Sequence, residues 1–541
     1  MPQYLSPGVY VEEVPSGSQP IEGVGTAVAA FVGLSEKGPF NEPTLVTNWT
    51  QFQSVFGDFV DGTYLSHAVY GFFQNGGGTA YVVRIGQEGG SQPKARAELP
   101  SAAQAGLPAV RVQAASEGPG GNNLSVEVSD ATEASEDTFK LTVKRGAQAE
   151  ETFDNVSVKK GKTNVATMVN AQSKLLQIEE VKGGELVRPA NGTYALAGGA
   201  ASAPARVQAT DYVGDSAKRT GFGGLESVDP VTMVACPDLM ALYERGVIDL
   251  EGVQAVQTAM MNHCELMGDR VAILDAPPAM NAQQIREWRQ GKAGYDSKYS
   301  ALYWPWIRVF DPISGKNTPV PPSGHMAGVW SRNDNERGVH KAPANEVVRG
   351  AVGLALNITK GEHDLLNPIG VNCIRAFPGR GIRVWGARTL SSEPEWRYLN
   401  VRRLFNFVEE SIFEGTQWVV FEPNDQALWA RVSRTINAFL FNVWRSGALF
   451  GETADQAFYV KCDEETNPPE VRDVGQLIVE IGIAPVKPAE FVVFRIAQFS
   501  GTPNERLRWS VFGLTAIRIE AFKSKPWNES EVPTWQLVKI R

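Results

Sequence analysis

Five histidines, four cysteines and one glycine-rich turn are where this chain of 541 residues offers material for chemistry. His67, His263, His325, His340 and His363 include no pair spaced on one helix with a glutamate, the pattern that seats a catalytic zinc. His263–Cys264 and His363–Asp364 are adjacent in sequence, and adjacent side chains do not face each other on an element. Cys236, Cys264, Cys373 and Cys462 are scattered, without zinc-site spacing or a disulfide framework, so free and mostly buried thiols are expected. Residues 23–28 read GVGTAV, the outline of a dinucleotide loop, but Val28 stands where the third glycine belongs and the loop precedes the strand it should follow. No G-x-S-x-G elbow, P-loop or EF-hand loop occurs, so hydrolase, ATPase and calcium chemistry lack a starting residue. No catalytic, cofactor or metal residue is assigned.

The elements that would position any site suggest a different kind of protein. At 541 residues the chain exceeds what one core can organise, and 43% hydrophobic residues are enough to bury two or three domains. The net charge of -9 argues against wrapping nucleic acid. No run approaches the apolar length of a membrane span and no basic-then-apolar leader opens the chain, so a cytoplasmic start is expected. Strands and helices alternate over 23–91 and 216–380, which favours a parallel sheet covered by helices. A helix is expected over Tyr64 to Asn75, ended by Gly76 to Gly78, and others over Asp249 to Met267, Tyr398 to Ile412 and Asn424 to Ser446. Tyr299 to Pro312 reads as one strand, and Asp311 to Pro343 as a long polar loop. Over 92–215 aromatics become sparse and period-two segments such as LSVEVSD and TFKLTVKR dominate, the pattern of an inserted antiparallel β-domain.

The two ends stand out. Residues 1–22 hold prolines at 2, 7, 15 and 20 around Val9, Tyr10, Val11 and Val14, an isolated strand with no neighbour in sequence to pair with. Twenty extended residues reach about 65 Å, far enough to meet another subunit. Near the other end, GQLIVEIGIAP and AEFVVFRIAQ read as two strands joined by a bend, the second free to be exported. Between these ends, Arg388, Arg397, Arg402, Arg403, Arg431, Arg434 and Arg445 interleave with Trp385, Trp396, Trp418, Trp429 and Trp444. Such arginines fit an interface or a solvated face beside an aromatic core.

Seven segments, PGVYVEEVPSG, VAILDAP, SGHMAGVWSRNDNERGVHKAPANE, NPIGVNCIRAFPGRGIRVWGART, YLNVRRLFNFVEESI, FNVWRSGALFG and GQLIVEIGIAPVKPAEFVVFRI, resemble in order the contractile tail sheath proteins of phages, R-type pyocins and phage-tail-like injection systems. The resemblance implies an α/β (mixed α+β) core domain of sheath type, an inserted β-rich domain and extended terminal arms. It implies a helical homo-oligomer of six-subunit rings around an inner tube protein, with baseplate and terminal cap proteins as further partners. No cofactor, nucleic acid or membrane insertion is implied. Carried over by position, the arm would be Pro7, Gly8, Val9, Tyr10, Val11, Glu12, Glu13 and Val14, and the resident strand Leu477 to Ala484, with Leu477, Ile478, Val479, Glu480 and Ile481. The exchanged strand would be Glu490 to Gln498, with Phe491, Val492, Val493, Phe494, Arg495 and Ile496. The tube would meet the region of Arg431 and Arg434, placing a tube-facing domain at 381–498. Residues 499–541 extend past the usual family end and hold three tryptophans, which favours docking over disorder. Two other readings stay open: a scaffold whose insertion binds envelope sugars or proteins, and a cryptic cell-wall hydrolase.

Overall fold

Strands whose residues are apolar on both sides belong inside a sheet covered on both faces, and the computed structural model places them there. It describes residues 20–493 and 536–539, apart from 87–93, 103–107, 116–118, 134, 136, 147, 160, 180–187 and 200–206. In chain order the strands are β1 (Val28–Gly33), β2 (Thr44–Val46), β3 (Thr79–Arg84), β4 (Arg96–Pro100), β5 (Pro108–Ala114), β6 (Leu124–Asp130) and β7 (Thr138–Arg145). Next come β8 (Gln148–Ser157), β9 (Leu176–Glu179), β10 (Gly192–Ala195), β11 (Met233–Ala235), β12 (Val271–Asp275), β13 (Ser300–Trp304) and β14 (Ile307–Asp311). The rest are β15 (Lys316–Val320), β16 (Gly353–Leu354), β17 (Val371–Phe377), β18 (Gly381–Val384), β19 (Phe458–Lys461), β20 (Glu480–Ile483) and β21 (Gln536–Lys539). The helices that matter below are α1 (Trp49–Phe56), α2 (Leu65–Gln74), α3 (Val165–Gln172), α4 (Leu250–Met267), α5 (Ser323–Arg337), α6 (Leu399–Gly415) and α7 (Gln426–Arg445).

The central sheet runs β18-β17-β13-β12-β11-β1-β3-β2, with its six inner strands parallel and β2 and β18 antiparallel at the edges. Alternation along each strand divides its residues between two cores. Ala30, Val32, Val234 and Leu274 join the core that includes α4, while Ala29, Phe31, Met233 and Ile273 face the core beneath α2 and α5. A carboxylate ties α5 to the sheet: Asp275 at the end of β12 accepts from the Ser323 backbone N–H at 2.9 Å and its hydroxyl at 2.6 Å, fixing the start of that helix. Burial pushes the Asp275 carboxyl up to about 7 against these two hydrogen bonds.

The insertion forms two antiparallel sheets, β10-β6-β7-β8 and β4-β5-β9, with α3 against them and a core of its own around Val112, Val126, Leu141 and Val143. The chain leaves and returns at one place, since a Cβ on Gly86 would touch Val207 at 3.8 Å. Val207 and Tyr212 already lie in the central core, so the chain has rejoined the parent body by residue 207.

Three local expectations are corrected. The polar stretch from Asp311 to Pro343 contains β15 and the buried helix α5, in which Ser323, His325, Ser331, Arg332, Asn333 and Asp334 are all inside. Its polar composition concealed it: Arg332 donates to Asn75 O at 2.8 Å and Val347 O at 2.7 Å, and Asn333 donates to Lys341 O at 2.8 Å, while Asn333 Oδ1 and His325 Nδ1 are buried without a hydrogen-bond partner among the described residues. Tyr299 to Pro312 is two strands, β13 and β14, which part at Pro305 and join different sheets. Ahead of Tyr64, where no helix is expected, lies α1, capped by the Asn48 side chain on Gln51 N.

Helices α2 and α5 pack with backbone touching backbone. A Cβ on Gly324 would lie 2.3 Å from Ala68 Cα, and one on Gly328 would lie 2.4 Å from Phe72 O. Backbone cannot swing aside as a side chain does, so Gly328→Ala is expected to cost about 1–3 kcal/mol through overpacking. Urea unfolding of the purified subunit measures it.

Candidate strand-exchange site and arm anchors

Strand addition takes place at the edge of a sheet, and the C-terminal domain builds a small sheet from little material. β19 and β20 pair antiparallel in the register Phe458↔Ile483, Tyr459↔Gly482, Val460↔Ile481 and Lys461↔Glu480. Ile481 and Ile483 are buried in a core shared with α6 and α7. Gly482 leaves room for the Tyr459 ring, which would meet a Cβ there at 2.2 Å. The other edge of β20 carries β21 of the same chain, antiparallel, from Glu480↔Lys539 to Ile483↔Gln536.

Of the expected resident strand, Glu480 and Ile481 lie in β20, whereas Leu477, Ile478 and Val479 precede it. Ile478 is held by a side chain in place of a neighbouring strand: Asn467 Oδ1 accepts its N–H at 2.7 Å and Asn467 Nδ2 donates to its carbonyl at 3.0 Å. Phe491, Val492 and Val493 are exposed and outside any strand. Pro7 to Val14 and Phe494, Arg495 and Ile496 lie outside the described residues.

Each terminal segment is fastened where it meets the body. Residues 21–26 run along one stripe of α6, formed by positions 415, 411, 407 and 403 at four-residue spacing. Ile21 packs on Gly415 and Gly23 on Phe407, the Val24 N–H donates to Ser411 Oγ at 3.1 Å, and Arg403 donates to Thr26 O at 2.9 Å. The same Arg403 guanidinium grips Asp334 of α5 as a fork, 2.9 Å to Oδ1 and 2.6 Å to Oδ2, and Thr26 Oγ1 donates to that carboxylate at 2.8 Å. Arg403 and Asp334 are both buried. Beside the stripe, Asp229, Asp269, Glu410 and Glu414 line a cavity of about 180 Å3. Burial and these acidic neighbours raise the Glu410 carboxyl above its ordinary value.

At the other end Glu490 is held by four donors. Arg388 Nε and Asn367 Nδ2 reach Oε1 at 2.9 and 2.7 Å, and Arg388 Nη2 and the Tyr398 hydroxyl reach Oε2 at 2.6 and 3.0 Å. Burial would push this carboxyl up, but the Arg388 and Asn367 hydrogen bonds and the Arg388 charge outweigh it and hold Glu490 below its ordinary value.

The arginines therefore divide. Arg388, Arg402 and Arg403, expected among surface or interface groups, are buried and paired within the chain, Arg402 with Glu409 at 3.1 Å. Arg431 and Arg434 lie on the exposed face of α7, opposite Leu428, Val432, Ile436 and Phe439. Arg431 pairs with Glu422 at 3.0 Å and covers the Trp418 ring. Sequence reading missed the joining roles of Asp334, Asn367 and Tyr398, whose partners lie far away along the chain, and of Asn467, whose partner Ile478 is 11 positions on. Among the described residues no cluster of His, Cys, Asp and Glu could hold a metal, and no helix is long and apolar enough to cross a membrane. Cys236, Cys264 and Cys373 are buried free thiols and Cys462 is partly exposed.

Comparison with known proteins follows this geometry. Residues 230–390 match the family described as phage tail sheath protein central domain, and residues 391–499 match the phage tail sheath C-terminal domain. The tail sheath protein of Vibrio phage KVP40 is 28% identical over 231 residues, which are 40% of this chain, and the match spans only 34% of that protein. The tail sheath protein of Burkholderia phage BcepMu is 24% identical over 515 residues, 90% of this chain and 95% of that protein. The fold is similar to the sheath of an extracellular contractile injection system, PVC, in its contracted state, with a TM-score of 0.56 and 22% identity over 92% of this chain and 99% of that one.

Two outcomes test the site. Asn467→Ala leaves both backbone groups of Ile478 without their partner and is expected to cost about 1–3 kcal/mol, read by urea unfolding. Glu490 has a folded value below the ordinary 4.5, so its contribution is whole above that pH and is lost as pH falls through the folded value. The difference in melting temperature between the wild type and Glu490→Gln should therefore persist above about pH 4.5 and narrow as the pH falls below it.

Proposed function

Because this chain belongs to the phage tail sheath family as a structural subunit, we propose that it polymerises as stacked six-subunit rings around an inner tube. The extended sheath is metastable, and its contraction drives the tube through a target envelope. It assembles in the bacterial cytoplasm as part of a phage tail or phage-tail-like particle, with baseplate and cap proteins at its ends. The work is mechanical. A gain of about a few kcal/mol per subunit between two sets of interfaces, summed over the lattice, supplies the stroke without a catalytic step.

The observation that carries this reading is the treatment of the termini. Both end segments are fastened at α6, Ile21 at its end and Glu490 by the Tyr398 that precedes it, beside the three-stranded sheet β19-β20-β21, small enough to be extended at an outer edge. Strand addition at that edge by Pro7 to Val14 and Phe491 to Ile496 of neighbouring copies keeps subunits linked while their bodies slide. The exposed face of α7, with Arg431 and Arg434, is the side offered to the tube.

Negative-stain microscopy of the purified chain should show striated hollow tubes. Removing residues 1–19 should leave a folded subunit that no longer polymerises. Removing residues 88–205, whose flanks meet at Gly86 and Val207, should leave polymerisation intact. A full-length chain that stays monomeric at every concentration, with and without tube protein, overturns the reading.

A further inference from the structure

Strand exchange, the reading this inference rests on, says where an arm would bind; it leaves open what keeps the arm from tearing out of its own subunit. We infer that Glu490 is the anchor of the C-terminal arm. Pull on the arm passes through Glu490, Arg388 and Asn372 into the central sheet, and from there to the N-terminal arm.

The chain on the C-terminal side of β20 is held by backbone hydrogen bonds as far as Val486: Phe450 N–H donates to Ala484 O at 2.8 Å and Ala484 N–H donates to Ala457 O at 2.9 Å. Val486 N–H donates to Ala448 O at 3.2 Å and Val486 O accepts from Asn400 at 3.1 Å. At Glu490 four donors meet one carboxylate, which offers about four lone-pair positions, so its acceptor capacity is filled. Immediately beyond it Phe491, Val492 and Val493 are 69%, 60% and 44% exposed. The grip therefore ends at one residue, and that residue marks where body gives way to arm.

The clamp is itself braced. Arg388 has its backbone pinned on both sides by one side chain, its N–H donating to Asn372 Oδ1 at 2.7 Å and its carbonyl accepting from Asn372 Nδ2 at 2.8 Å. Asn372 is fully buried in β17, and Gly386 leaves it no slack, since a Cβ there would sit 2.9 Å from Asn372 Oδ1. β17 lies in the same sheet as β1, and β1 continues directly from residues 21–26. The N-terminal segment is fastened by a matching device, the Arg403–Asp334 fork with Thr26. Two arginine–carboxylate forks thus hold the two arm roots on one eight-stranded sheet. A fork gives two parallel charge-assisted hydrogen bonds that must break together, which suits a joint under tension better than a point contact.

The test compares full-length tubes of wild type, Glu490→Ala, Arg388→Lys and Tyr398→Phe with those of Gly328→Ala, a variant weakened in the α2–α5 contact and not at the arm. Light scattering follows subunit release under dilute urea or shear, and circular dichroism confirms folded subunits. Glu490→Ala tubes should shed subunits on the order of tenfold faster than wild type. Arg388→Lys and Tyr398→Phe should fall between, and Gly328→Ala should stay near wild type. Release from Glu490→Ala at the wild-type rate, or equally fast release from Gly328→Ala, overturns the inference. Should Glu490→Ala fail to fold, unchanged rates in both milder variants overturn it in the same way. Wild-type chain that forms no tubes refutes the sheath reading itself, a result distinct from any of these.

Discussion

The Arg403–Asp334 fork joins three parts of this chain at one buried point. Asp334 comes from α5, which covers the central sheet; Arg403 comes from α6, the first helix of the C-terminal domain; and Thr26 comes from the segment that leads into β1. Removing two charges from water costs several kcal/mol per ion, and their attraction repays that only when geometry is good and remaining hydrogen-bonding positions are filled. Here the fork, the Thr26 hydroxyl and the Thr26 carbonyl fill them. A small slip of α6 against α5 would leave a buried charge unmatched, so the pair fixes register between two domains and the start of the chain together.

That joint suits a member of the phage tail sheath family. The central sheet is covered on both faces, with alternate residues of β1, β11 and β12 divided between two cores, and behaves as a stiff plate. Around it sit parts of graded attachment. The insertion hangs from a single place near Gly86 and Val207, with its own core, so its shape is free of the plate. The C-terminal domain is fixed through α6, and its β19–β20 sheet has few strands of its own. Under the proposed function the bodies move as units while their connections persist, and a stiff plate with anchored ends divides those tasks.

Much of the scaffold was legible. Apolar runs such as VAILD and PVTMVA announced inner parallel strands, and period-two alternation over 124–145 announced the insertion, because side-chain periodicity reports burial directly. Helix α5 was not legible. Its polar residues are buried against carbonyls and side chains from distant segments, and its glycines serve contact with α2, so neither hydrophobic period nor composition betrayed it. The site was legible only as segments. The sequence pointed to Glu480 and Ile481 as strand and marked Glu490 as the start of an exchanged one, while the structure makes Glu490 the last gripped residue before the exposed run of Phe491 to Val493.

By itself the sequence determined the class of the protein: a mixed α/β body with a β-rich insertion and proline-bracketed ends. Those properties are written in local patterns, where each residue's type and its near neighbours suffice. Only the tertiary structure decided which charges meet. Arg388 finds Glu490 across 102 positions and Arg403 finds Asp334 across 69. No spacing along the chain encodes such a meeting; it exists because the folding of α5, α6 and β17 brings those side chains within hydrogen-bond reach.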